Sequence, residues 1–294
     1  MILVKKTKLI TIIVAVITLT AVFTSQFRAE TIYTNNGYSY TDLEDNKISL
    51  CGWDNRSPDL VVPDSIGKYY FAAISDFALR GNTIITSLDI TQPTNLKKIG
   101  IYAFAGCENL SGEVIIPLRV TDIGMCAFEN CFALESVKLY SNIKTVASQC
   151  FNNCSSLRNV ELPSGLEKID NLAFAGCVSL NHIKIPRTVK EISSSAFKGD
   201  SNLIIDCYYG SYAYEYAKQN NITFKLLDDV KLGDTDLNGV ININDATMVQ
   251  MDDVQLITLN DFEKKAADVN RDGEITIRDA TLIQMYLANI ITSF

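Results

Sequence analysis

The segment IGMCAFENCFALESVKL, residues 123–139, returns as VASQCFNNCSSLRNVEL at 146–162 and as IDNLAFAGCVSLNHIKI at 169–185. Each copy has a small residue before a phenylalanine and a cysteine three residues after it, and the period is 23 or 24 residues. A unit this short cannot bury its own apolar face. The repeats are therefore predicted to stack into a solenoid with one continuous core.

The same anchor extends through most of the 294-residue chain. It reads Ala103, Phe104, Cys107; Ala127, Phe128, Cys131; Cys150, Phe151, Cys154; Ala173, Phe174, Cys177; and Ala196, Phe197, Asp200, with Phe77 as a degenerate first copy. Short alternating strands such as Val137/Leu139 and Val160/Leu162 follow the anchors. The pattern resembles the BspA-type leucine-rich repeat of secreted and surface proteins of anaerobic bacteria, over roughly residues 50–227.

The ends of the repeat array have their own patterns. Residues 36–50, with Gly37 and alternating tyrosines, resemble an opening hairpin, and residues 210–224 resemble the closing helix and strand of that family. Five tyrosines lie in or just before this cap, Tyr208, Tyr209, Tyr212, Tyr214 and Tyr216. Of these, Tyr212 and Tyr216 share a helical face and are predicted to cover the open core. Stacking against sugar rings is the alternative role for this cluster.

Two copies of a calcium-loop pattern lie 34 residues apart near the end of the chain, DTDLNGVININD at 234–245 and DVNRDGEITIRD at 268–279. Oxygen-bearing side chains occupy loop positions 1, 3, 5, 9 and 12, position 7 offers a backbone carbonyl, and glycine stands at the turn. Two calcium ions are therefore predicted. The ligands are Asp234, Asp236, Asn238, Val240, Asn242 and Asp245 in the first loop, and Asp268, Asn270, Asp272, Glu274, Thr276 and Asp279 in the second.

Position 12 is aspartate in both loops, and the residues before the first loop are too few for a convincing helix, so each copy is predicted as a loop followed by a helix. This arrangement resembles the type I dockerin, the module that attaches cellulosomal proteins to cohesin domains of a scaffoldin. The resemblance implies cohesin contacts from positions 10, 11, 17 and 18 of each copy. These residues are Ile243, Asn244, Gln250 and Met251, and Ile277, Arg278, Gln284 and Met285.

The Gln-Met pair is the same in both copies, so a partner that recognises it could dock on either helix. The alternative is that Met251 and Met285 belong to the core. Helical spacing assigns the buried face to Val249 and Ile283 instead. The fold class expected for the whole chain is thus a mixed α/β solenoid with a short strand per rung, followed by a small all-α dockerin.

Residues 1–29 have a basic start and an apolar run at 9–23, about 22 Å long as a helix, which predicts a secretion signal. The expected domains are a signal peptide at 1–29, a repeat solenoid with its caps at 30–228 and a dockerin at 229–294. Export would place the protein outside the cell, in a cell-surface cellulosome. A membrane contact is expected only if the signal stays uncleaved.

The net charge of −8 is concentrated in residues 230–294, where eleven acids outnumber five bases and give −6. The sequence pI is about 4.8, which excludes nucleic acid as a natural ligand. The four anchor cysteines are predicted to be buried free thiols, while Cys51, Cys126, Cys150 and Cys207 suggest no pairing.

The single histidine, His182, is predicted to face solvent in a variable column of strand residues, which argues against a catalytic triad. Acid pairs such as Asp42 with Glu44, or Glu113 with Asp122, look like solvated charges. Together with the signal segment, the resemblance to a dockerin implies a secreted, non-catalytic cellulosome component whose repeats bind a protein or a cell-wall glycan. The alternative is a glycoside hydrolase-like, carbohydrate-active subunit, which would need two catalytic carboxylates.

Overall fold

The computed structural model describes residues 32–227 and 230–294, and it consists of a β-solenoid followed by a helical module. The fold class predicted from the repeats and loops is confirmed. The predicted signal peptide at 1–29 lies outside the described residues. Among the described residues, no helix has the length and apolarity needed to cross a bilayer.

Each solenoid rung contributes short strands to two columns. The strands are β1 Ile32–Asn35, β2 Tyr38–Asp42, β3 Lys47–Trp53, β4 Asp59–Val61, β5 Ser65–Ile66, β6 Tyr69–Ile74, β7 Ser87–Asp89, β8 Lys98–Ile99, β9 Gly112–Ile116, β10 Asp122–Ile123, β11 Leu134–Leu139, β12 Thr145–Val146, β13 Asn159–Glu161, β14 Lys168–Ile169, β15 His182–Lys184, β16 Glu191–Ile192, β17 Ile204–Cys207 and β18 Thr223–Leu226. One column contains the parallel sets β4–β7, β9–β11–β13 and β15–β17–β18, and the other contains β6–β8–β10 and β12–β14–β16. The antiparallel hairpin β1–β2 pairs with β3 and closes the first rung.

The anchor phenylalanines form a continuous stack through the core. Phe104, Phe128, Phe151 and Phe174 are fully buried, and consecutive rings lie 5.1 to 5.5 Å apart and nearly parallel. Phe197 continues the stack at 5.6 Å. Parallel rings at this spacing pack each rung against the next with the same contacts from Phe104 to Phe197.

The turn that carries each anchor also holds the rungs together. The Phe104 amide donates to Ala127 O at 2.8 Å and the Phe128 amide to Cys150 O at 2.9 Å. The residue preceding the small anchor residue has a left-handed backbone, with φ of 56° at both Cys126 and Gln149. This conformation is uncommon for a residue with a Cβ, and stacking imposes it here.

The first copy of the anchor differs from the prediction. Phe77 is 51 % exposed and stacks on Tyr102, so it does not begin the buried column. Leu79 takes that position, since it is buried and its amide donates to Ala103 O just as later anchors donate to the next rung. The assignment of Phe77 to the anchor series was wrong by two residues.

The anchor cysteines form a ladder of buried thiols beside the phenylalanine stack. Each thiol donates to a main-chain carbonyl of the preceding rung, such as Cys131 to Phe104 O at 3.3 Å and Cys154 to Phe128 O at 3.2 Å. Burial raises the pKa of Cys107 to about 12 and that of Cys131 well above its ordinary value. These side chains are therefore protonated donors at neutral pH, a role that packing arguments alone did not predict.

Asp200 replaces cysteine at the last step of the ladder. Both of its carboxylate oxygens are buried without a hydrogen-bond partner, and burial raises its pKa to about 7. The nearby amides of Gly176 and Cys177 offset this burial only in part, because they already donate to Lys198 O and Phe174 O.

The closing cap is helix α1, Tyr212–Gln219, and strand β18. Tyr216 is buried and meets Phe197 edge-on at 6.3 Å, so it terminates the phenylalanine stack. Tyr212 is 44 % exposed, which corrects the prediction that Tyr212 and Tyr216 together cover the core. Tyr212 is the first residue of α1 and lies at its exposed end, whereas Tyr216 lies one turn further on, against Phe197.

The helical module contains α2 Ile243–Asp253, α3 Asp261–Ala267 and α4 Ile277–Leu287. Helices α2 and α4 pack through a small core that includes Ala246, Val249, Ala280 and Ile283. The prediction of a loop followed by a helix holds for the first copy. The second loop is also preceded by a helix, α3, which the sequence analysis missed.

Candidate calcium centres and partner face

The first calcium-type loop gathers three carboxylates at one point. Asp234, Asp236 and Asp245 each place an oxygen within 4.8 Å of the others, and they form the one such acidic group among the described residues. The Gly239 amide donates to Asp234 Oδ2 at 2.9 Å, while Asp234 Oδ1 is buried without a partner. A buried carboxylate oxygen without a donor is unfavourable unless a cation or water satisfies it.

Asp245, at position 12, ties the two ends of this loop together. Its Oδ1 accepts the Asp236 amide at 3.0 Å and its Oδ2 accepts the Asn242 amide at 2.8 Å. The side chain is fully buried at the first turn of α2, and burial raises its pKa. A short aspartate at position 12 can make these main-chain contacts from within the helix that follows.

The second loop repeats these contacts. The Gly273 amide donates to Asp268 Oδ2 at 3.0 Å, and Asp279 accepts the amides of Asn270 and Thr276 at 3.3 and 3.1 Å. Asp279 is fully buried at the first turn of α4. The two loops are thus related residue by residue, although the second has Asn270 where the first has Asp236.

The residues present fit a hard cation. All predicted metal ligands in both loops are oxygen atoms, which calcium prefers. Asp234 Oδ1, the buried oxygen without a hydrogen-bond partner, belongs to the acidic group of the first loop. Gly239 and Gly273 have φ of 92° and 86°, so they provide the sharp turn that aims successive oxygens inward.

The helix caps couple each loop to its helix. Asn242 caps α2 by accepting the Asn244 amide at 2.8 Å, and Thr276 caps α4 by accepting the Arg278 amide at 3.3 Å. Both caps form capping boxes with the aspartate at position 12. Any ion that orders a loop therefore also orders the first turn of the helix behind it.

The residues predicted to contact a partner divide into two equivalent sets. Ile243 and Ile277 are 58 % and 53 % exposed at the helix starts. The Gln-Met pairs of the two helices are half-buried, and Met251 and Met285 lie outside the apolar cluster that contains Val249 and Ile283. This placement leaves one edge of each sulfur-bearing side chain accessible.

Two further exposed apolar residues were not among the predicted partner contacts. Leu256 and Ile290 stand 34 residues apart, are 72 % and 67 % exposed, and donate from their amides to Met251 O and Met285 O. They therefore extend the same face beyond the end of each helix. The 34-residue spacing that revealed the loops could have revealed them too.

The residues considered for catalysis in the sequence, His182, Glu113 and Asp122, lie at the surface of the solenoid. His182 is exposed, as predicted, and lies 3.4 Å from Asp206. Glu113 is on β9 and Asp122 on β10, which belong to different sheets, so these two acids do not meet. Glu113 instead pairs with Lys138 at 3.0 Å.

Comparison with known protein families identifies both modules. A family described as the BspA type leucine rich repeat region matches residues 72–204 in six copies, and the dockerin type I domain matches residues 232–288. The chain thus contains a BspA-type leucine-rich repeat region followed by a type I dockerin domain. Both domains are non-catalytic, and type I dockerins bind calcium in general.

Several solved structures are similar in the repeat region. A leucine rich cell surface protein from Faecalibacterium prausnitzii A2-165 is 25 % identical with a TM-score of 0.47, over 60 % of this chain and 54 % of that one. A leucine-rich repeat protein from Eubacterium ventriosum is 23 % identical with a TM-score of 0.46, over 57 % of this chain and 49 % of that one. The matched part thus spans about half the length of each. A comparison with curated proteins gives no match.

Proposed function

We propose that this protein is a secreted, non-catalytic component of a cellulosome, in which the dockerin binds a cohesin of a scaffoldin and the repeat solenoid is the cargo. The duplicated loop with a buried aspartate at position 12 carries this proposal, because Asp245 and Asp279 each link a cation loop to a helix. The proposal follows the coarser finding that a dockerin implies cohesin binding.

Two calcium ions would occupy the loops. Asp234, Asp236, Asn238, Asn242 and Asp245 would hold one through side chains, with the Val240 carbonyl at position 7. The second loop would use the equivalent residues, with Thr276 in place of Asn242 and the Glu274 carbonyl at position 7. Calcium would neutralise carboxylates that otherwise repel one another, so the loops and the helix starts behind them stay ordered.

The cohesin would contact one helix face at a time. Residues 243, 244, 250 and 251 form the first face, and residues 277, 278, 284 and 285 form the second. The exposed pair Leu256 and Ile290 would extend each face with apolar area. Because the two faces share Gln-Met, we infer that the partner can bind in two orientations related by the internal repeat.

The solenoid would mediate recognition of a protein or a cell-wall glycan through its exposed strand columns. The alternative, a carbohydrate-active subunit, would need two carboxylates facing one sugar ring. The separation of Glu113 and Asp122 on different sheets argues against that pair. Export would follow from residues 1–29, with the solenoid at 30–228 and the dockerin at 229–294.

The first test is binding to a panel of purified type I cohesins in calcium and in EDTA. We expect binding in calcium and its loss in EDTA, and no binding to any cohesin in calcium would contradict the proposal. Incubation with soluble and insoluble cell-wall polysaccharides tests the cargo. Depletion of the protein without release of reducing ends would support a glycan-binding role, whereas release would establish the carbohydrate-active alternative.

A further inference from the structure

The end of the solenoid touches the first calcium-type loop directly. Arg187 follows β15 in the turn Ile185-Pro186-Arg187, and its Nη1 donates to the main-chain carbonyl of Leu237 at 2.6 Å. Leu237 lies at loop position 4, between Asp236 and Asn238. The guanidinium group of Arg187 also lies over the ring of Tyr208, 4.5 Å from its centroid, which fixes its direction.

A second contact joins the solenoid to α3. Tyr209 stacks on Phe262 with ring centroids 5.5 Å apart and an angle of 11° between the rings. Tyr209 also packs against Tyr214 of the closing helix at 5.2 Å. The helical module is therefore held at two points, one in its first loop and one in the helix before its second loop.

The two loops differ in sequence at the position that makes this contact. Leu237 is only 5 % exposed, although it lies outside the apolar cluster formed by α2 and α4. Its counterpart 34 residues later is Arg271, which is exposed and for which no contact with the solenoid is described. Both have left-handed backbones, with φ of 56° and 60°. The apolar residue thus stands in the loop that faces the solenoid, and the charged one in the loop that does not.

Charge favours the same arrangement. The module has a net charge of −6 from eleven acids and five bases in residues 230–294, and Arg187 contacts the loop whose three aspartates come together. The Arg187 guanidinium contacts the loop through the Leu237 main-chain carbonyl, so it fixes the loop backbone in its folded conformation before any ion arrives.

We propose that Arg187, Tyr208 and Tyr209 form a docking surface for this chain's own dockerin, and that Arg187 holds the first loop in its ion-binding conformation. Calcium at the first loop and docking then reinforce each other, because coupling between two binding events is reciprocal. The second loop binds calcium without help from the solenoid. The coupling part rests on the proposed calcium function.

Site-resolved calcium titration of the full two-module protein tests the coupling. In an Asp268→Ala background only the first loop keeps its position-1 aspartate, so the titration measures the calcium affinity of that loop. Arg187→Ala is expected to weaken this affinity roughly tenfold, within the usual range for coupled sites. In an Asp234→Ala background the titration measures the calcium affinity of the second loop, and Arg187→Ala should leave that affinity unchanged. Arg158→Ala, an exposed arginine one rung earlier, is the matched control and should change neither. Equal first-loop affinities with and without Arg187 would overturn the coupling.

Small-angle X-ray scattering tests the docking itself. The parent protein in calcium should be more compact than its Phe262→Ala and Arg187→Ala variants, and circular dichroism checks that each variant is folded. Equal maximum dimensions for parent and variants would overturn the docking surface. If the parent binds no calcium, the proposed function fails on that measurement, and the scattering comparison still decides whether the two modules dock.

Discussion

Gly239 donates its amide to Asp234 Oδ2 at 2.9 Å and leaves Asp234 Oδ1 buried without a partner. The glycine thus orients the carboxylate, and one oxygen stays available for a cation. The same contact joins Gly273 to Asp268 in the second loop. In that loop the other oxygen, Asp268 Oδ1, accepts the Asp272 amide at 3.1 Å, so position 1 of the first loop is where the charge of a bound ion is needed most.

Replacing Asp234 and Asp268 together with alanine is expected to abolish calcium binding and cohesin binding, since each loop loses its first ligand. Isothermal titration with calcium, then with a cohesin that binds the parent, measures both. Glu274→Gln is the matched control, because its predicted ligand is the backbone carbonyl and its side chain is exposed. Full cohesin affinity in the double variant would refute calcium-dependent docking.

Replacing Gln250 and Met251 with alanine should leave cohesin binding nearly intact, because the second face remains. The same change at Gln284 and Met285 should also be tolerated, and the combination should weaken binding at least 100-fold. Surface plasmon resonance with an immobilised cohesin measures this. If either pair alone removes binding, the partner uses one face only.

Phe151→Ala is expected to lower the free energy of unfolding of the solenoid by about 3–5 kcal/mol, because the ring is fully buried between two parallel neighbours. Phe132→Ala removes a 41 % exposed ring one repeat earlier and should change it by less than about 0.5 kcal/mol. Urea unfolding followed by circular dichroism compares them. A similar loss in both would mean that the stack is not what stabilises the rungs.

Asp200 should make the solenoid less stable as pH rises. Its folded-state pKa of about 7 is above its unfolded value, so its contribution is fully present below about pH 4 and is lost as pH rises through 7. Asp200→Asn should therefore raise the melting temperature by a few degrees at pH 8 and by much less at pH 5. Asp200→Cys should do the same, because it restores the thiol donor of the ladder. An equal effect at both pH values would rule out the ionised carboxylate as the cause.

The strongest sequence signals are those that repeat. The anchor phenylalanines and the two loops recur with a constant spacing, and the structure places both sets in equivalent positions. The left-handed turns at Cys126 and Gln149 could not be predicted, because residues with a Cβ give no local sign of that conformation. Stacking between rungs, which is a tertiary effect, imposes it.

Other features were present in the sequence but unused. Helix α3 begins with a capping box in which Asn260 and Glu263 satisfy each other's amides, a pattern visible as Asn-x-x-Glu. The prediction at Phe77 was wrong because the anchor position of the first repeat holds a leucine, Leu79, where the later repeats have phenylalanine. The contact between Arg187 and Leu237 has no local signature, since it joins residues 50 positions apart.

The hydrogen bonds that run from each anchor turn to the next make every rung a template for its neighbour. A whole 23-residue unit could therefore be inserted or removed without disturbing the caps, and each would change the length of the array by about 4.8 Å. The number of rungs therefore sets the distance between the first strand hairpin and the dockerin domain.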